Sequence, residues 1–233
     1  MNIIRIINLI ENFAPIELQE SWDCSGLQVD LGGKNIKRIL LCLSITQNII
    51  EQAIEKNCNM IISHHPLFFV PFEFNKNISI YSAHTNLDKA DGGTTDTLIK
   101  LLGFNKSQKI GEFLRLVELE NEFSLDDFVK LIKEKLNLKI VRVVNNFNRE
   151  KVRKLAFCAG SGSDFLREAE KIFADILITG DVKYHVAFDS NIIIADIGHF
   201  ESEYPVLKTL EELLKNKGIE VITANEKSPF IDC

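Results

Sequence analysis

Residues 38–63 hold the pattern that decides the fold: an apolar run, an amphipathic segment and a second apolar run. They read RILLCLSI (38–45), QNIIEQAIEK (47–56) and NMIIS (59–63). Runs rich in Ile and Leu that are apolar throughout are typical of strands buried on both faces, whereas the middle segment has helical spacing. A strand, a helix and a second strand in this order predict a parallel β-α-β unit.

The same order of segments recurs in the second half of the chain. The later segments are KLAFCAGSG (154–162), DFLREAEKIF (164–173) and DILITG (175–180). They superimpose on the first series without a gap at an offset of 116, so that Cys42 falls on Cys158 and Ile62 on Ile178. Each series then continues into an apolar run and a histidine-containing loop, ISIYSAHT (78–85) and NIIIADIGH (191–199). We infer an internal duplication.

The predicted fold class is therefore α/β, with two related three-layer α/β/α lobes, mainly parallel sheets and a metal site at the loops after the strands. We expect the first lobe to span residues 1–108 and the second to span residues 109–233. The part from about residue 192 to residue 233 is a candidate for packing with the first lobe. FLRLVELE (113–120) and KIVRVV (139–144) read as further strands, and SLDDFVKLIKEKLN (124–137) reads as a helix capped by Ser124.

Composition limits the classes of function. A chain of 233 residues with 45% hydrophobic residues can bury a large core, and a net charge of −6 without a Lys/Arg block makes nucleic acid a poor partner. No apolar run reaches the roughly 18 residues of a membrane span, and MNIIRIINLIENF reads as a first helix, not an export signal. Five widely spaced cysteines without CxxC indicate reduced thiols, so we expect a cytoplasmic protein.

All five histidines, together with several acids, follow predicted strands, where open α/β sheets bind their ligands. These residues are His64 and His65, His84 and Asp88, Asp181 and His185, and His199 and Glu203. His64 and His65 would point to opposite faces within a strand, but beyond its end, with Pro66 restricting His65, both rings can serve neighbouring ions. His199 and Glu203 have i,i+4 spacing and would share a helix face.

Imidazoles from His64, His65 and His199 with carboxylates from Asp88 and Glu203 would suit two divalent ions such as Zn, Mn or Fe. The alternative is that each histidine is a structural or solvated residue at the end of a strand. That alternative is favoured for Asp181 and His185, because nothing in TGDVKYH fixes the direction of their side chains.

The sequence gives weaker support for a phosphate-binding loop and for a serine or cysteine nucleophile. The DGGTT loop (91–95) offers backbone donors that could hold a phosphate, but without a P-loop lysine a turn and helix cap is favoured. GSGSD (160–164) is not the GxSxG nucleophile motif, and no cysteine has a histidine close in sequence.

The motifs SHHPLFF (63–69), AHTNLDKADGG (83–93) and GHFESE (198–203), in this order, resemble those of the Nif-three-like proteins, the family of the type 2 GTP cyclohydrolase 1 homologues. SWDCSGLQVD (21–30) is also similar to the N-terminal motif of the family, although Cys24 stands where Asn is usual and Asp30 where Gly is usual. These departures leave open any role for Asp23 or Asp30.

The resemblance implies a site with two divalent ions per chain whose ligands are His64, His65, Asp88, His199 and Glu203, with Glu203 as the bridge. It also implies two α/β lobes, a ring-like homohexamer and a nucleotide substrate, GTP.

The leading hypothesis is a metal-dependent hydrolase similar to GTP cyclohydrolase I, which converts GTP and water to formate and 7,8-dihydroneopterin triphosphate. Metal-activated water attack on guanine C8 would open the imidazole ring, and a second hydration would release formate. His84 and His185 are candidate proton shuttles. A di-metal phosphoesterase or other nucleotide hydrolase, and a non-enzymatic metal-binding oligomeric scaffold, remain alternatives.

Overall fold

The computed structural model describes residues 1–30, 35–67, 77–215 and 217–231. Phe68 and Phe69 of the SHHPLFF motif, and Cys233, lie outside the described residues. The chain divides into two compact units, of which the first comprises Met1–Gly93 and Val206–Lys227. The second comprises Thr94–Pro205 and Ser228–Cys233.

The helices and strands are numbered in chain order. The helices are α1 (Ile3–Phe13), α2 (Gln47–Glu55), α3 (Thr85–Lys89), α4 (Thr94–Leu101), α5 (Leu125–Leu136), α6 (Leu166–Lys171), α7 (Tyr184–Phe188), α8 (His199–Glu203) and α9 (Val206–Leu214). The strands are β1 (Gly26–Val29), β2 (Arg38–Cys42), β3 (Met60–Ser63), β4 (Ser79–Ser82), β5 (Gln108–Ile110), β6 (Leu114–Ser124), β7 (Arg142–Val144), β8 (Lys151–Phe157), β9 (Ile176–Thr179), β10 (Ile193–Asp196) and β11 (Glu220–Thr223). Short 3₁₀ turns occupy Ile16–Leu18 and Gly162–Phe165.

The first unit contains a five-stranded sheet in the order β1-β4-β3-β2-β11. Strands β2, β3, β4 and β11 pair in parallel, whereas β1 pairs antiparallel with β4. The ladder continues past the strand ends, because the backbone N–H of His64 donates to Cys42 O (3.1 Å) and that of Ala83 donates to Ser63 O (3.0 Å). The residues that follow β2, β3 and β4 therefore start at one edge of the sheet.

The helices of the first unit form where the sequence supplies a cap and an apolar face. The side chain of Asn2 caps α1 by accepting from the Ile4 N–H, and that of Thr46 caps α2 by accepting from the Ile49 N–H. The apolar face of α2, which includes Ala53, packs into a cluster with residues of β2 and β3. Burial of this face fixes the β-α-β unit on which the site residues stand.

The second unit contains a six-stranded sheet in the order β5-β6-β8-β9-β10-β7. Strands β8, β9 and β10 pair in parallel, and the other three pairings are antiparallel. The predicted helix over 124–137 is confirmed as α5, with Ser124 as its cap and Asn137 in the left-handed conformation that ends it. Its Phe128 packs with Phe157 of β8 in the main core cluster of the unit.

The two sheets share a parallel three-strand segment, β2-β3-β4 in the first unit and β8-β9-β10 in the second. Adding the predicted offset of 116 to β3, residues 60–63, gives 176–179, which are the bounds of β9. The α/β class with two sheets and flanking helices is thus confirmed. The antiparallel pairings toward the sheet edges were not anticipated, and they make both sheets mixed.

The unit boundary differs from the expected break after residue 108. Helix α4 belongs to the second unit because its Leu98 and Ile99 join the core cluster that contains Phe128. Val206–Lys227, which contain α9 and β11, belong to the first unit, whereas β10 and α8 belong to the second. In the described ranges, no helix has the length and apolar character of a membrane span.

Candidate metal centre

His64 and His65 stand at the end of β3, and each ring is held by a hydrogen bond to Nδ1. The His64 ring is fully buried, and its Nδ1 lies 2.9 Å from the carbonyl of Ala83. A carbonyl can only accept, so Nδ1 carries the proton and Nε2 is the nitrogen that can bind a metal. His65 Nδ1 lies 2.7 Å from Ser44 Oγ, which leaves its Nε2 in the same role.

Ser44 is itself held in place from the C-terminal part of the first unit. The carboxylate of Glu226 accepts from the backbone N–H groups of Leu43 (2.6 Å) and Ser44 (2.9 Å), directly after β2. Burial raises the pKa of Glu226, and the two N–H donors oppose this shift. Glu226 therefore fixes the turn that presents Ser44 to His65.

The third imidazole of the first unit belongs to His84, which follows β4. Its ring centroid lies 5.2 Å from that of His64 and 5.5 Å from that of His65, and the His64 and His65 centroids lie 5.0 Å apart. One ring nitrogen from each of the three residues lies within 4.8 Å of the others. Three imidazole nitrogens at this separation could bind a transition-metal ion.

Asp23 orients His84 from 61 residues away in the sequence. Its Oδ1 lies 2.9 Å from His84 Nδ1, its Oδ2 accepts from Ser25 Oγ (2.8 Å) and from Thr85 N–H (3.1 Å), and the Thr85 hydroxyl also donates to it. Burial opposes ionisation of Asp23, but the bonds from His84, Thr85 and Ser25 hold the pKa of this carboxyl well below its usual range. An ionised carboxylate only accepts, so the His84 proton sits on Nδ1 and Nε2 is the acceptor nitrogen.

Asp88 brings a carboxylate to the same group. It lies on α3, four residues after His84, and its Oδ1 is 3.6 Å from His64 Nε2. Its side chain is mostly buried. The first unit thus gathers three imidazoles and one carboxylate, a mixed nitrogen and oxygen set suited to Zn, Mn or Fe.

The second unit presents His199 and Glu203 from α8. His199 Nε2 lies 2.9 Å from Glu203 Oε2, and His199 Nδ1 lies 2.6 Å from Asp181 Oδ2. Burial lowers the pKa of His199, because it disfavours the charged imidazole. The hydrogen bonds and charges of the Glu203 and Asp181 carboxylates have the larger combined effect and raise this pKa to about 9. Asp181, for which a structural role was favoured, therefore contacts a predicted ligand.

The buried carboxylate of Glu203 fits against a glycine. A Cβ built on Gly160 would lie 2.0 Å from Glu203 Oε1, and Gly160 has a φ of +68°. The N–H of Gly160 donates to Ser202 Oγ (2.8 Å), which in turn donates to the carbonyl of His199 (2.8 Å). The loop after β8 is thus shaped around α8 and its carboxylate.

The same local arrangement occurs once in each unit. His84 and Asp88 are four residues apart at the start of α3, and His199 and Glu203 are four residues apart on α8. Each of these short helices follows the third parallel strand of its sheet, and each histidine bonds through Nδ1 to an aspartate. The internal duplication therefore extends to the candidate site.

His185 and the DGGTT loop are the remaining features that were singled out in the sequence. His185 is exposed on α7, where its ring centroid lies 5.5 Å from that of Tyr184. In the DGGTT loop a Cβ on Gly93 would lie 1.9 Å from Leu87 O, and Thr95 Oγ1 accepts from Ala159 N–H. These contacts are those of a packed turn at the start of α4, in keeping with the favoured alternative.

Three residues of the candidate site carried little or no signal in the sequence. Asp23 lies in SWDCSGLQVD, where the departures from the family motif had left its role open. Ser44 and Gly160 are equivalent at the offset of 116, and neither residue type by itself indicates a functional site. Their contacts join segments that are distant in sequence.

Similar proteins of known structure share this fold along the whole chain. A Staphylococcus aureus hypothetical protein, SA1388, superimposes with a TM-score of 0.88 at 25% identity, covering 100% of this chain and 99% of that one. Reduced HcgD from Methanocaldococcus jannaschii superimposes with a TM-score of 0.84 at 27% identity, covering 97% of this chain and 98% of that one. The fold and the paired histidine–carboxylate groups define an α/β protein with residues that could bind a metal.

The chain belongs to the Duf34/NIF3 (NGG1p interacting factor 3) family, whose model matches residues 1–229. A relative from Clostridium perfringens, named GTP cyclohydrolase 1 type 2 homolog, is 38% identical over 260 residues and covers 99% of both chains. A Helicobacter pylori (strain J99) protein named GTP cyclohydrolase 1 type 2 is 32% identical over 246 residues, covering 97% of both. The resemblance seen in the sequence motifs is thereby confirmed.

Proposed function

We propose that this protein is a metal-dependent hydrolase that converts GTP and water to formate and 7,8-dihydroneopterin triphosphate. The proposal rests on the anchored histidines: His64, His65, His84 and His199 each engage Nδ1 in a hydrogen bond. Histidines that bind metals in proteins almost always use the second ring nitrogen in this way. The names of the relatives supply the choice of GTP.

Within this proposal His64, His65 and Asp88 of the first unit and His199 and Glu203 of the second are the ligands of two divalent ions, Zn, Mn or Fe. The choice of these five residues rests on the family motifs, and the bonds around each residue within its own unit support it. Glu203 is the proposed bridge, because its carboxylate is nearly fully buried and held against Gly160. When bound, such ions activate water and polarise the bond that is hydrolysed.

Proton transfer in the proposed reaction is assigned to His84. The ionised Asp23 keeps the His84 proton on Nδ1, so Nε2 can accept a proton from water beside guanine C8 and return it as the ring opens. Asp23 is a positioning residue, since it acts through the imidazole. His185 is the second candidate for proton transfer, from its exposed position on α7.

The test is a reconstitution in which formate and phosphate are measured separately. Purified protein loaded with Zn, Mn or Fe(II) is incubated with GTP, and we expect formate release in at least one metal form. Phosphate release with the guanine ring intact would instead identify a phosphoesterase. A folded, metal-loaded protein that releases neither product would contradict the proposal and favour a metal-binding scaffold.

Variants separate the roles of the histidines. We expect His84→Gln to lower kcat by about 10²- to 10⁴-fold, the usual contribution of a general acid–base group, with metal content unchanged. His185→Gln tests the second candidate in the same assay. Lys130→Gln, an exposed residue of α5, is the control for expression and folding. Sedimentation of the wild-type protein tests the proposed homohexamer.

A further inference from the structure

Trp22 is the single tryptophan of the chain, and 62% of it is exposed. It lies in the loop between the 3₁₀ turn Ile16–Leu18 and strand β1. Tryptophan has a large apolar surface and an N–H donor, and it is enriched at surfaces that bind other molecules.

The loop that carries Trp22 is fixed on both sides of the indole. On one side, the Glu20 N–H donates to Thr85 Oγ1 (2.9 Å), and the Glu20 carboxylate pairs with Lys89 Nζ at 2.6 Å. On the other side, Asp23 bonds to His84, Ser25 and Thr85. Hydrogen bonds of Glu20 and Asp23 to Thr85 therefore attach the loop to the start of α3 on both sides of Trp22.

The indole stands beside the imidazole of His84. Its ring centroid lies 6.1 Å from that of His84, and the two ring planes meet at 76°. This perpendicular contact leaves much of the indole surface open to solvent. A planar ligand stacked on that surface would lie next to His84, the residue assigned to proton transfer.

We propose that Trp22 is a stacking platform for a fused-ring heteroaromatic base, a purine such as guanine or the pterin formed from it. This inference rests on the proposed function and specifies how the base of the substrate is positioned. Every nucleobase offers a flat π-surface to an aromatic side chain. Stacking contributes roughly tenfold to a hundredfold in affinity per base, with little selectivity for sequence or substituents. The triphosphate makes no part of this contact.

The single tryptophan makes the test direct. Fluorescence of the Zn-loaded, full-length protein is excited selectively at Trp22 and followed during titration with guanosine, with GTP and with inorganic triphosphate. We expect guanosine and GTP to quench the emission and inorganic triphosphate to leave it unchanged. Equal quenching by triphosphate alone would overturn the inference.

Variants provide the second arm, with binding measured by calorimetry because the indole is removed. We expect Trp22→Ala to weaken guanosine and GTP binding by about 10- to 100-fold and Trp22→Phe to retain most of it. Phe147→Ala, which removes another exposed aromatic ring, is the matched control. Circular dichroism verifies the fold of each variant. Unchanged guanosine affinity in folded Trp22→Ala would refute the stacking role.

Failure of the inference and failure of the proposed function give different results. Quenching by guanosine with no formate from GTP would retain the platform and reject the cyclohydrolase reaction. Formate release by Trp22→Ala at the wild-type KM would retain the reaction and reject the platform. Emission that shifts to longer wavelength when the ligand-free protein is diluted would show that a second copy covers Trp22, and would also reject the platform.

Discussion

The carboxylate of Glu203 occupies the space in which a side chain of residue 160 would begin, since a Cβ on Gly160 would lie 2.0 Å from Glu203 Oε1. We therefore expect Gly160→Ala to displace the carboxylate and weaken metal binding by about 10- to 100-fold, as measured with a competing chelator. Gly103→Ala is the matched control, because Gly103 also has a positive φ (+98°) but no atom within 4 Å of its Cβ position.

Both alanine variants carry the backbone strain of a left-handed residue, roughly 1 kcal/mol. Subtracting the effect of Gly103→Ala on thermal stability removes this shared cost. If both variants bound metal equally well, the fit between Gly160 and Glu203 would have no part in the site.

A second prediction concerns the bridging role of Glu203. Glu203→Gln keeps the size of the side chain but removes its charge, so we expect the metal content to fall from about two ions per chain to one or fewer. Elemental analysis of protein loaded and then desalted measures this directly. Glu134→Gln, at an exposed position on α5, should keep the full content. A Glu203→Gln protein with the wild-type content would show that the carboxylate does not bridge.

A third prediction concerns Asp23. With an amide in place of the carboxylate, the preference of the His84 proton for Nδ1 is lost, and we expect kcat to fall about 10- to 100-fold. Nitrogen-15 NMR of the metal-free protein should show a mixed tautomer of His84 in Asp23→Asn. Asp127→Asn, which changes an exposed carboxylate on α5, controls for charge. A change in kcat without a change in tautomer would mean that Asp23 acts by another route.

Asp23 also makes a prediction for acid stability. Its pKa in the folded protein lies well below the ordinary value of 3.8, so its ionised form stabilises the fold above about pH 4, and this contribution is lost as the pH falls toward the folded pKa. The difference in thermal midpoint between wild type and Asp23→Asn should be constant near neutral pH and shrink below about pH 4. A difference that grew on acidification would contradict this assignment.

A fifth prediction uses His199 in metal-free protein. Its pKa is raised from 6.5 to about 9, so the charged imidazole stabilises the fold fully below pH 6.5, and this contribution disappears as the pH rises through 9. We expect the thermal midpoint measured in chelator to fall over this window. In His199→Gln the fall should be much smaller, and an unchanged profile would locate the titration at another group.

The central strands and helices of each unit could be predicted from the sequence, because buried elements have clear apolar patterns. The offset of 116 predicted that β3 and β9 are equivalent, and Ser124 predicted the start of α5. Short exposed strands such as β7 carry a weaker pattern, so the sequence could not show how they pair. The assignment of α9 and β11 to the first unit depends on contacts between distant segments, such as the parallel pairing of β11 with β2.

In the candidate site, the sequence predicted the possible ligands but not the residues that orient them. Histidines and acids after strands stand out by residue type, and the fold explains why His64 and His84 lie together, since β3 and β4 are parallel neighbours. The groups that orient them do not stand out, because serine, glycine and aspartate are common in loops. Asp23 and Gly160 become recognisable only when their contacts in space are known.

The two aspartate–histidine pairs differ in the burial of the aspartate and in its position in the sequence. The carboxylate of Asp23 is fully buried and comes from a loop before β1, whereas that of Asp181 is 48% exposed and comes from the loop after β9. The aspartates that bond to His84 and His199 are therefore not equivalent positions of the repeat. Dissolved salt screens the attraction between Asp181 and His199 more strongly than that between Asp23 and His84, because the Asp23 carboxylate is buried. The histidine–aspartate interaction of the second unit is therefore the one that depends on ionic strength.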